Sequence, residues 1–177
     1  FSLPCDVIII PYVGAENKKI KTSEKTIRLL GHRYFIFRDE FRNFYGKEKK
    51  IRNRVQNILI SLGGGNVDND IVKSLTALEM LDVGGLSMKC VTNSDKCSDY
   101  ISSLISKFNK NENIIEVISR TNLMAELISW ADLAIIGSGL TKYETAVIGT
   151  PSIVVSTNLD HVETSERFAA LNVNYHL

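Results

Sequence analysis

The feature of this sequence that most constrains its fold is a regular alternation of strand-like and helix-like segments from Val55 onward. Short apolar runs, typical of strands covered on both faces, alternate with segments whose apolar residues recur at helical spacing. The predicted strands are 56–62, 86–92, 113–118, 133–136 and 152–155, and the predicted helices are 68–81, 100–108, 123–131, 141–148 and 162–171. Short strand–helix–strand connections require parallel strands and right-handed crossovers. The alternation therefore predicts an α/β fold with a doubly wound parallel sheet.

In such a sheet the ligand lies beyond the carboxyl ends of the strands. Four loops should gather at that edge: 63–66, 118–122, 137–141 and 157–161. The first of them, Gly63-Gly64-Gly65-Asn66, is not followed by the Gly-Lys-Ser/Thr of a Walker phosphate-binding loop. Gly64 and Gly65 are either ligand-binding residues or part of a permissive strand-to-helix turn.

The loop after the fourth predicted strand is the most informative. In Gly137-Ser138-Gly139 the small side chains let backbone amides approach an anion, and a helix that begins near Thr141 offers its N-terminus to a phosphate. Glu144 lies nearly one turn after Thr141, where a carboxylate suits a vicinal diol such as a ribose. The same spacing also fits a capping box, so both interpretations stay open.

The histidine and cysteine residues indicate little more about the function. His161 is the one histidine on the predicted ligand edge, and it is either a surface residue or a ligand contact. Cys5, Cys90 and Cys97 show no paired zinc pattern, so we expect no metal and no cofactor, and we expect Cys90 to be a core residue. Sparse cysteines favour a reduced, cytoplasmic protein.

The composition argues against several classes of partner. Of the 177 residues, 44% are hydrophobic and 23% are charged, as in a globular protein, and the net charge is +1. That charge gives no electrostatic reason to expect nucleic acid or an anionic membrane as a partner. No apolar run approaches the roughly 18 residues of a membrane span. Because the chain begins at Phe1, without methionine, we expect it to be a fragment.

The first 54 residues lack the strand–helix alternation. An apolar strand is predicted over 5–12, a lysine-rich loop or linker over 13–28, and an apolar segment over 29–38. The basic run 47–54 is interpreted as a solvated segment, with steering of a phosphate as the alternative.

Several of these stretches, in order, resemble a known family. Residues 29–34, 38–41, 58–65, 131–144 and 149–151 resemble the PseG/SpsG-like UDP-sugar hydrolases of pseudaminic acid and spore-coat polysaccharide biosynthesis. Residues 124–125 and 130–132 are similar to the glycosyltransferase MurG. The resemblance implies a Rossmann-like C-terminal lobe of a GT-B architecture. Residues 1–54 would then be the end of an N-terminal lobe and the inter-lobe linker, and residues 55–177 the nucleotide-sugar-binding domain.

The resemblance also implies roles for individual residues. Ser138, Gly139 and Thr141 would border the diphosphate, and Glu144 would hold the uridine ribose. The base would be lined by 118–124. Together with the glycine loop, the implied nucleotide-binding residues are Gly64, Gly65, Ile118, Met124, Ser138, Gly139, Thr141 and Glu144.

The sugar side of the implied site differs from the family. Where the family carries Asn-Gln, this chain has Asp160-His161. The family's catalytic histidine lies in the N-terminal lobe, so the catalytic residues are expected outside this chain, which should bind but not turn over. The predicted function is the UDP-sugar-binding lobe of a hydrolase that releases UDP by attack of water, in surface polysaccharide or nonulosonic acid biosynthesis. A GT-B glycosyltransferase and a non-catalytic nucleotide-sugar-binding module remain alternatives.

Overall fold

A computed structural model describes residues 4–63, 68–93, 95–108, 112–156 and 159–177. The strands are β1 (Val7–Ile10), β2 (Ile27–Leu30), β3 (Asn57–Ser61), β4 (Ser87–Thr92), β5 (Ile114–Ser119), β6 (Leu133–Gly137), β7 (Ser152–Val155) and β8 (Tyr175–His176). The helices are α1 (Asp68–Met80), α2 (Asp95–Phe108), α3 (Met124–Trp130), α4 (Thr141–Ile148) and α5 (Val162–Ala169). Gly64 and Gly65, predicted to bind the ligand, lie outside the described residues.

The main sheet has six parallel strands in the order β5-β4-β3-β6-β7-β8. Its first strand in the chain, β3, lies in the middle. Successive strands are added first on one side and then, from β6, on the other, which is the Rossmann order. The predicted doubly wound parallel sheet is confirmed. The strand order reverses between β3 and β6, so ligands are expected beyond the carboxyl ends of these two strands.

Burial on both faces explains why β3 is a continuous apolar run. On one face Ile60 lies in an apolar cluster with Leu75 of α1, and on the other Leu59 lies in a cluster with Ile128 of α3. Full burial of one such side chain contributes about 1.5–3 kcal/mol. Cys90 of β4 is also fully buried, as predicted.

Gly137 ends β6 at the switch point because only glycine fits there. A Cβ atom at this position would lie 2.3 Å from the carbonyl oxygen of Leu62, which follows β3. No side chain can be accommodated against that backbone. The close approach fixes the position, relative to the end of β3, of the loop that begins at Ser138 and leads to α4.

Asp132 ties the amino ends of the two central strands together. Its Oδ2 accepts hydrogen bonds from the amides of Gln56 at 3.0 Å and Asn57 at 2.9 Å, and Arg52 pairs with it at 3.3 Å. Burial alone would raise the pKa of Asp132, but these amides and the nearby cations Arg52 and Lys49 hold it below its usual value. This residue, part of the stretch that resembles the family, therefore has a structural role at the edge opposite the ligand.

The structure corrects two predictions, one near each end of the chain. Ile27 and Arg28, predicted to be loop residues, belong to β2, which pairs in parallel with β1 through Val7 and Ile27. The partner strand supplies the pairing, which the local sequence pattern does not reveal. At the other end, α5 stops at Ala169 instead of Leu171, because Asn172 adopts a left-handed φ of 57°.

The edge strand β8 was not predicted from the sequence. It contains only two residues and is held by the amide of Leu177, which donates to the carbonyl of Val154 at 3.0 Å. A strand this short carries no periodic signal.

The interpretation of 47–54 as solvated is wrong at Lys49. Its Nζ, with three N–H donors, lies within hydrogen-bonding distance of four acceptors: the carbonyls of Ile128 at 3.0 Å, Ser129 at 2.9 Å and Ala131 at 2.5 Å, and the hydroxyl of Thr150 at 2.8 Å. These carbonyls belong to the last turn of α3 and the residue after it. Lys49 therefore satisfies the unpaired carbonyls at a helix C-terminus, where a cation is favoured.

Replacing Lys49 by methionine should destabilise the protein by about 3 kcal/mol, because several buried acceptors would lose a charged donor. The neighbouring Lys50 is exposed, so Lys50→Met should cost less than about 0.5 kcal/mol. Urea denaturation of both variants measures the difference. Equal effects would show that the Lys49 contacts contribute nothing to stability.

No helix in the described ranges is long and apolar enough to cross a membrane. Within those same ranges, no group of three or more His, Cys, Asp or Glu side chains is placed to hold a metal ion.

Candidate functional site

Two cavities open at the carboxyl edge of the main sheet. The switch-point cavity has a volume of about 610 Å³, and its lining includes Arg38, Ser61, Arg120, Met124, Thr141 and Glu144. The α5 cavity has a volume of about 510 Å³, and its lining includes Tyr12, Lys18, Ser138, Lys142, His161 and Arg167. Leu140 lines both cavities. The loop between β6 and α4 is therefore the border that they share.

The predicted nucleotide-binding residues divide between the two cavities. Met124, Thr141 and Glu144 line the switch-point cavity, whereas Ser138 and Gly139 line the α5 cavity. The structure thus brings five predicted residues to one edge of the sheet. Of the three residues expected to border the diphosphate, Ser138 and Gly139 line the α5 cavity, whereas Thr141 lines the switch-point cavity with the residues expected near the base and ribose.

Three other predicted residues have different positions. Ile118 of β5 packs against the apolar cluster that contains Leu59 and does not belong to the lining of either cavity. His161 lines the α5 cavity, at the end of the short 3-10 helix Leu159–His161. Asp160 lies in the same helix, but its side chain is outside the described part of the structure.

Helix α4 begins at Thr141, which agrees with the prediction that a helix begins near this residue. Leu140 occupies the N-cap position, and the helix has no side-chain cap. Thr141 and Glu144 therefore do not form a capping box, and that alternative is wrong. Instead, the Glu144 carboxylate binds a side chain from the segment that precedes the main sheet.

An ion-pair network anchors Glu144 in the switch-point cavity. The Arg38 guanidinium contacts Glu144 Oε1 at 3.0 Å and Glu40 Oε1 at 2.7 Å. Glu40 Oε2 accepts a hydrogen bond from the amide of Ala125, in the first turn of α3, at 3.1 Å. Sequence analysis did not identify Arg38 and Glu40 as site residues. The sequence feature that could have identified them is a charged Arg-Asp-Glu triplet between two aromatic residues, Phe37 and Phe41.

The environment of Glu144 leaves one carboxylate oxygen for a ligand. The residue is only 8% exposed, and burial raises the pKa of its carboxyl group; Arg38 opposes this effect and Glu40 adds to it. Oε2 has no hydrogen bond to another residue of the described chain. Arg38 therefore holds the group in place through one oxygen, while the other can accept hydroxyl donors.

The α5 cavity contains a buried cation that sequence analysis missed. Lys142 Nζ donates to the carbonyl of Ser138 at 3.0 Å and to the hydroxyl of Ser165 at 3.4 Å. Ser138 Oγ in turn lies 3.2 Å from His161 Nδ1. Burial lowers the pKa of Lys142 to about 8. No local sequence signal distinguishes this lysine, because lysine in a short helix usually faces solvent.

Lys142 should make stability depend on pH. Its pKa is about 8 in the folded protein, against the ordinary 10.5. Between these values the unfolded chain binds more protons, so the free energy of unfolding rises with pH; below about pH 8 both states are protonated. Relative to Lys142→Met, the native protein should gain about 2 kcal/mol between about pH 7.5 and about pH 10.

Urea denaturation over this pH range measures that gain. Lys49, whose pKa burial also lowers to about 8, is present in both proteins and cancels in the comparison. Lys73→Met, which changes an exposed lysine of α1, is the control and should show no such gain. A constant difference between native protein and Lys142→Met would show that Lys142 titrates like a solvated lysine.

Comparison with known structures identifies the fold class. The crystal structure of MurG from Acinetobacter baumannii matches 71% of this chain and 37% of its own, with a TM-score of 0.58 and 24% sequence identity. The six-stranded parallel sheet with its flanking helices is thus a Rossmann-like fold that matches a GT-B domain of MurG. No family model matches the sequence.

Two curated proteins are similar in sequence. The spore coat polysaccharide biosynthesis protein SpsG of Bacillus subtilis is 29% identical over 168 residues, which is 93% of this chain and 48% of SpsG. An uncharacterized protein of Methanocaldococcus jannaschii is 29% identical over 161 residues, which is 86% of this chain and 32% of that protein. The chain therefore spans half or less of the length of these relatives. The sequence and fold comparisons together support a GT-B-like relationship, in line with the resemblance found from the sequence.

Proposed function

We propose that this chain is the nucleotide-sugar-binding lobe of a GT-B-type enzyme that hydrolyses a UDP-sugar in the biosynthesis of a surface polysaccharide or nonulosonic acid. The observation that carries the proposal is the assembly of Met124, Thr141 and Glu144 around one cavity at the topological switch point. Nucleotide ligands of doubly wound sheets bind at such points. Similarity to a spore coat polysaccharide biosynthesis protein supports the biological context.

In this proposal the nucleoside occupies the switch-point cavity. Met124, at the start of α3, contacts the base, and Glu144 Oε2 accepts hydrogen bonds from the ribose hydroxyls. A ribose offers two O–H donors, and an ionised carboxylate is an acceptor-only group with room for both. Arg38 keeps that carboxylate oriented, so little conformational freedom is lost when the nucleotide binds.

The diphosphate would cross the loop from Ser138 to Thr141 towards the α5 cavity. The space where a Gly139 side chain would stand is open, so a phosphate can approach the backbone there. The N-terminus of α4 favours negative charge at this point. The glycosyl group then enters the α5 cavity, which His161 lines. His161 and its neighbour in the chain, Asp160, are the proposed sugar-side residues.

We assign residues 1–54 to the end of an N-terminal lobe and the inter-lobe linker, and residues 55–177 to the nucleotide-sugar domain. Two observations support this division: β1 and β2 form a sheet separate from the main one, and the chain spans 48% of SpsG. A base in the N-terminal lobe would take a proton from a water molecule. The oxygen of that water would attack the anomeric carbon of the sugar as UDP departs. Closure of the lobes would exclude other water from the reaction.

Glu144→Gln tests the nucleotide site. Loss of the charged acceptor should weaken binding of UDP about tenfold, equivalent to about 1.4 kcal/mol, as measured by isothermal titration calorimetry. Glu126→Gln, on the exposed side of α3, is the matched control and should leave the affinity unchanged. A melting temperature for each variant shows that it is folded. Unchanged UDP affinity in Glu144→Gln would contradict the proposed ribose contact.

The alternative is a GT-B glycosyltransferase, which the fold shared with MurG favours. The two activities differ in the acceptor of the glycosyl group. The full-length protein that contains this chain should release UDP and free sugar from a UDP-sugar without any added acceptor, as measured by chromatography of the products. Strict dependence on an acceptor sugar would identify a transferase instead.

A further inference from the structure

The lining of the α5 cavity comes from two parts of the chain. One part belongs to the main domain and includes Ser138 after β6 and His161 before α5. The other is the β1 loop, which we define as residues 11–18. Its members in the lining are Tyr12, Val13, Gly14 and Lys18. Because β1 belongs to the two-stranded sheet, the shape of the cavity depends on how that sheet is held against the main domain.

Tyr143 of α4 joins these two parts. Its hydroxyl accepts a hydrogen bond from the amide of Val13 at 3.1 Å. Its ring stacks on Phe35, in the segment after β2, with ring centroids 4.4 Å apart, and meets Phe168 of α5 edge-on at 4.8 Å. Tyr143 is therefore in contact with both segments that follow the strands of the two-stranded sheet.

The β1 loop is also fitted closely to α5. Gly14 adopts a left-handed φ of 83°, and the space that its side chain would occupy is taken by the Arg167 guanidinium. The next residue, Ala15, is completely buried. A small displacement of the loop would therefore change the cavity, since the backbone at Gly14 lies directly against one of the other residues that line it.

The ring and the hydroxyl of Tyr143 have separable roles. A phenylalanine ring would keep the contacts with Phe35 and Phe168, which hold α4 and α5 together. The hydrogen bond of the hydroxyl to Val13 reaches the β1 loop. Burial raises the pKa of this hydroxyl, so it remains a neutral acceptor at neutral pH. Its removal should release the loop and leave the packing of the core in place.

We propose that Tyr143 is a positioning residue for the sugar: its hydroxyl holds the β1 loop in place as one side of the α5 cavity, so that binding of the sugar, but not of UDP, depends on it. The inference rests on the proposed function, in which the nucleoside occupies the switch-point cavity and the sugar the α5 cavity. Neither Tyr143 nor the β1 loop belongs to the described lining of the switch-point cavity.

Tyr143→Phe removes the hydroxyl alone. Isothermal titration calorimetry should show that the variant binds UDP-N-acetylglucosamine about fivefold more weakly than the native protein does, while its affinity for UDP changes less than twofold. The matched control is Tyr100→Phe, at an exposed position on α2, which should leave both affinities unchanged. Equal changes in the two affinities of Tyr143→Phe, or no change in either, would overturn the inference and leave the proposed function intact.

Hydrogen–deuterium exchange of the native protein tests the same loop without a variant, so it stands even if Tyr143→Phe fails to fold. UDP-N-acetylglucosamine should slow the exchange of a peptide that covers residues 11–18 more than UDP does. Equal exchange with both ligands, or binding of UDP without binding of the nucleotide sugar, would show that the loop does not hold the sugar and would overturn the inference. Absence of binding of both ligands would remove the proposed function, and this inference with it.

Discussion

The contact on which the candidate site most depends is the Arg38 guanidinium between Glu40 and Glu144. Glu144 is nearly buried, and without Arg38 its carboxylate would have no counter-ion within hydrogen-bonding distance among the described residues. Although the Arg38 side chain is about half exposed, its loss would leave this nearly buried carboxylate unpaired, which is costly. Through Glu40 the same arginine reaches the first turn of α3, so one side chain sets the relative position of the two helices that border the switch-point cavity.

That arginine comes from a segment which precedes the main sheet, and the same segment contributes to the core. Phe41 is completely buried in the cluster that contains Leu59, and Phe35 stacks on Tyr143 of α4 with ring centroids 4.4 Å apart. Lys49 completes the carboxyl end of α3. Packing therefore crosses the lobe boundary that we propose after residue 54. A cut at that point would expose the core and remove the partner of Glu144.

Structural features that depend on the local sequence pattern can be predicted from the sequence. Features that depend on contacts between residues far apart in the chain cannot. The apolar runs of β3 and β6 identified the sheet, because burial on both faces leaves a pattern in the chain itself. The register of β2 depends on β1, and the environments of Lys49 and Lys142 depend on carbonyls more than twenty residues away or on burial by α5. Nothing in the local composition distinguishes these lysines from solvated ones. The capping box at α4 fails for a different reason, because Leu140 rather than Thr141 occupies the N-cap position.

The two cavities owe their common border to the backbone rather than to side chains. Gly137 brings β6 against the residue that follows β3, and the loop after it has room beside Gly139. A ligand that fills both cavities must cross this loop. The N-terminus of α4 favours negative charge there. The charged groups on the two sides differ: Arg38 and Glu144 line the switch-point cavity, and Lys18, Lys142 and Arg167 line the α5 cavity. Under the proposed function, substitutions on one side of the loop would therefore alter selection for the nucleotide without altering selection for the attached group.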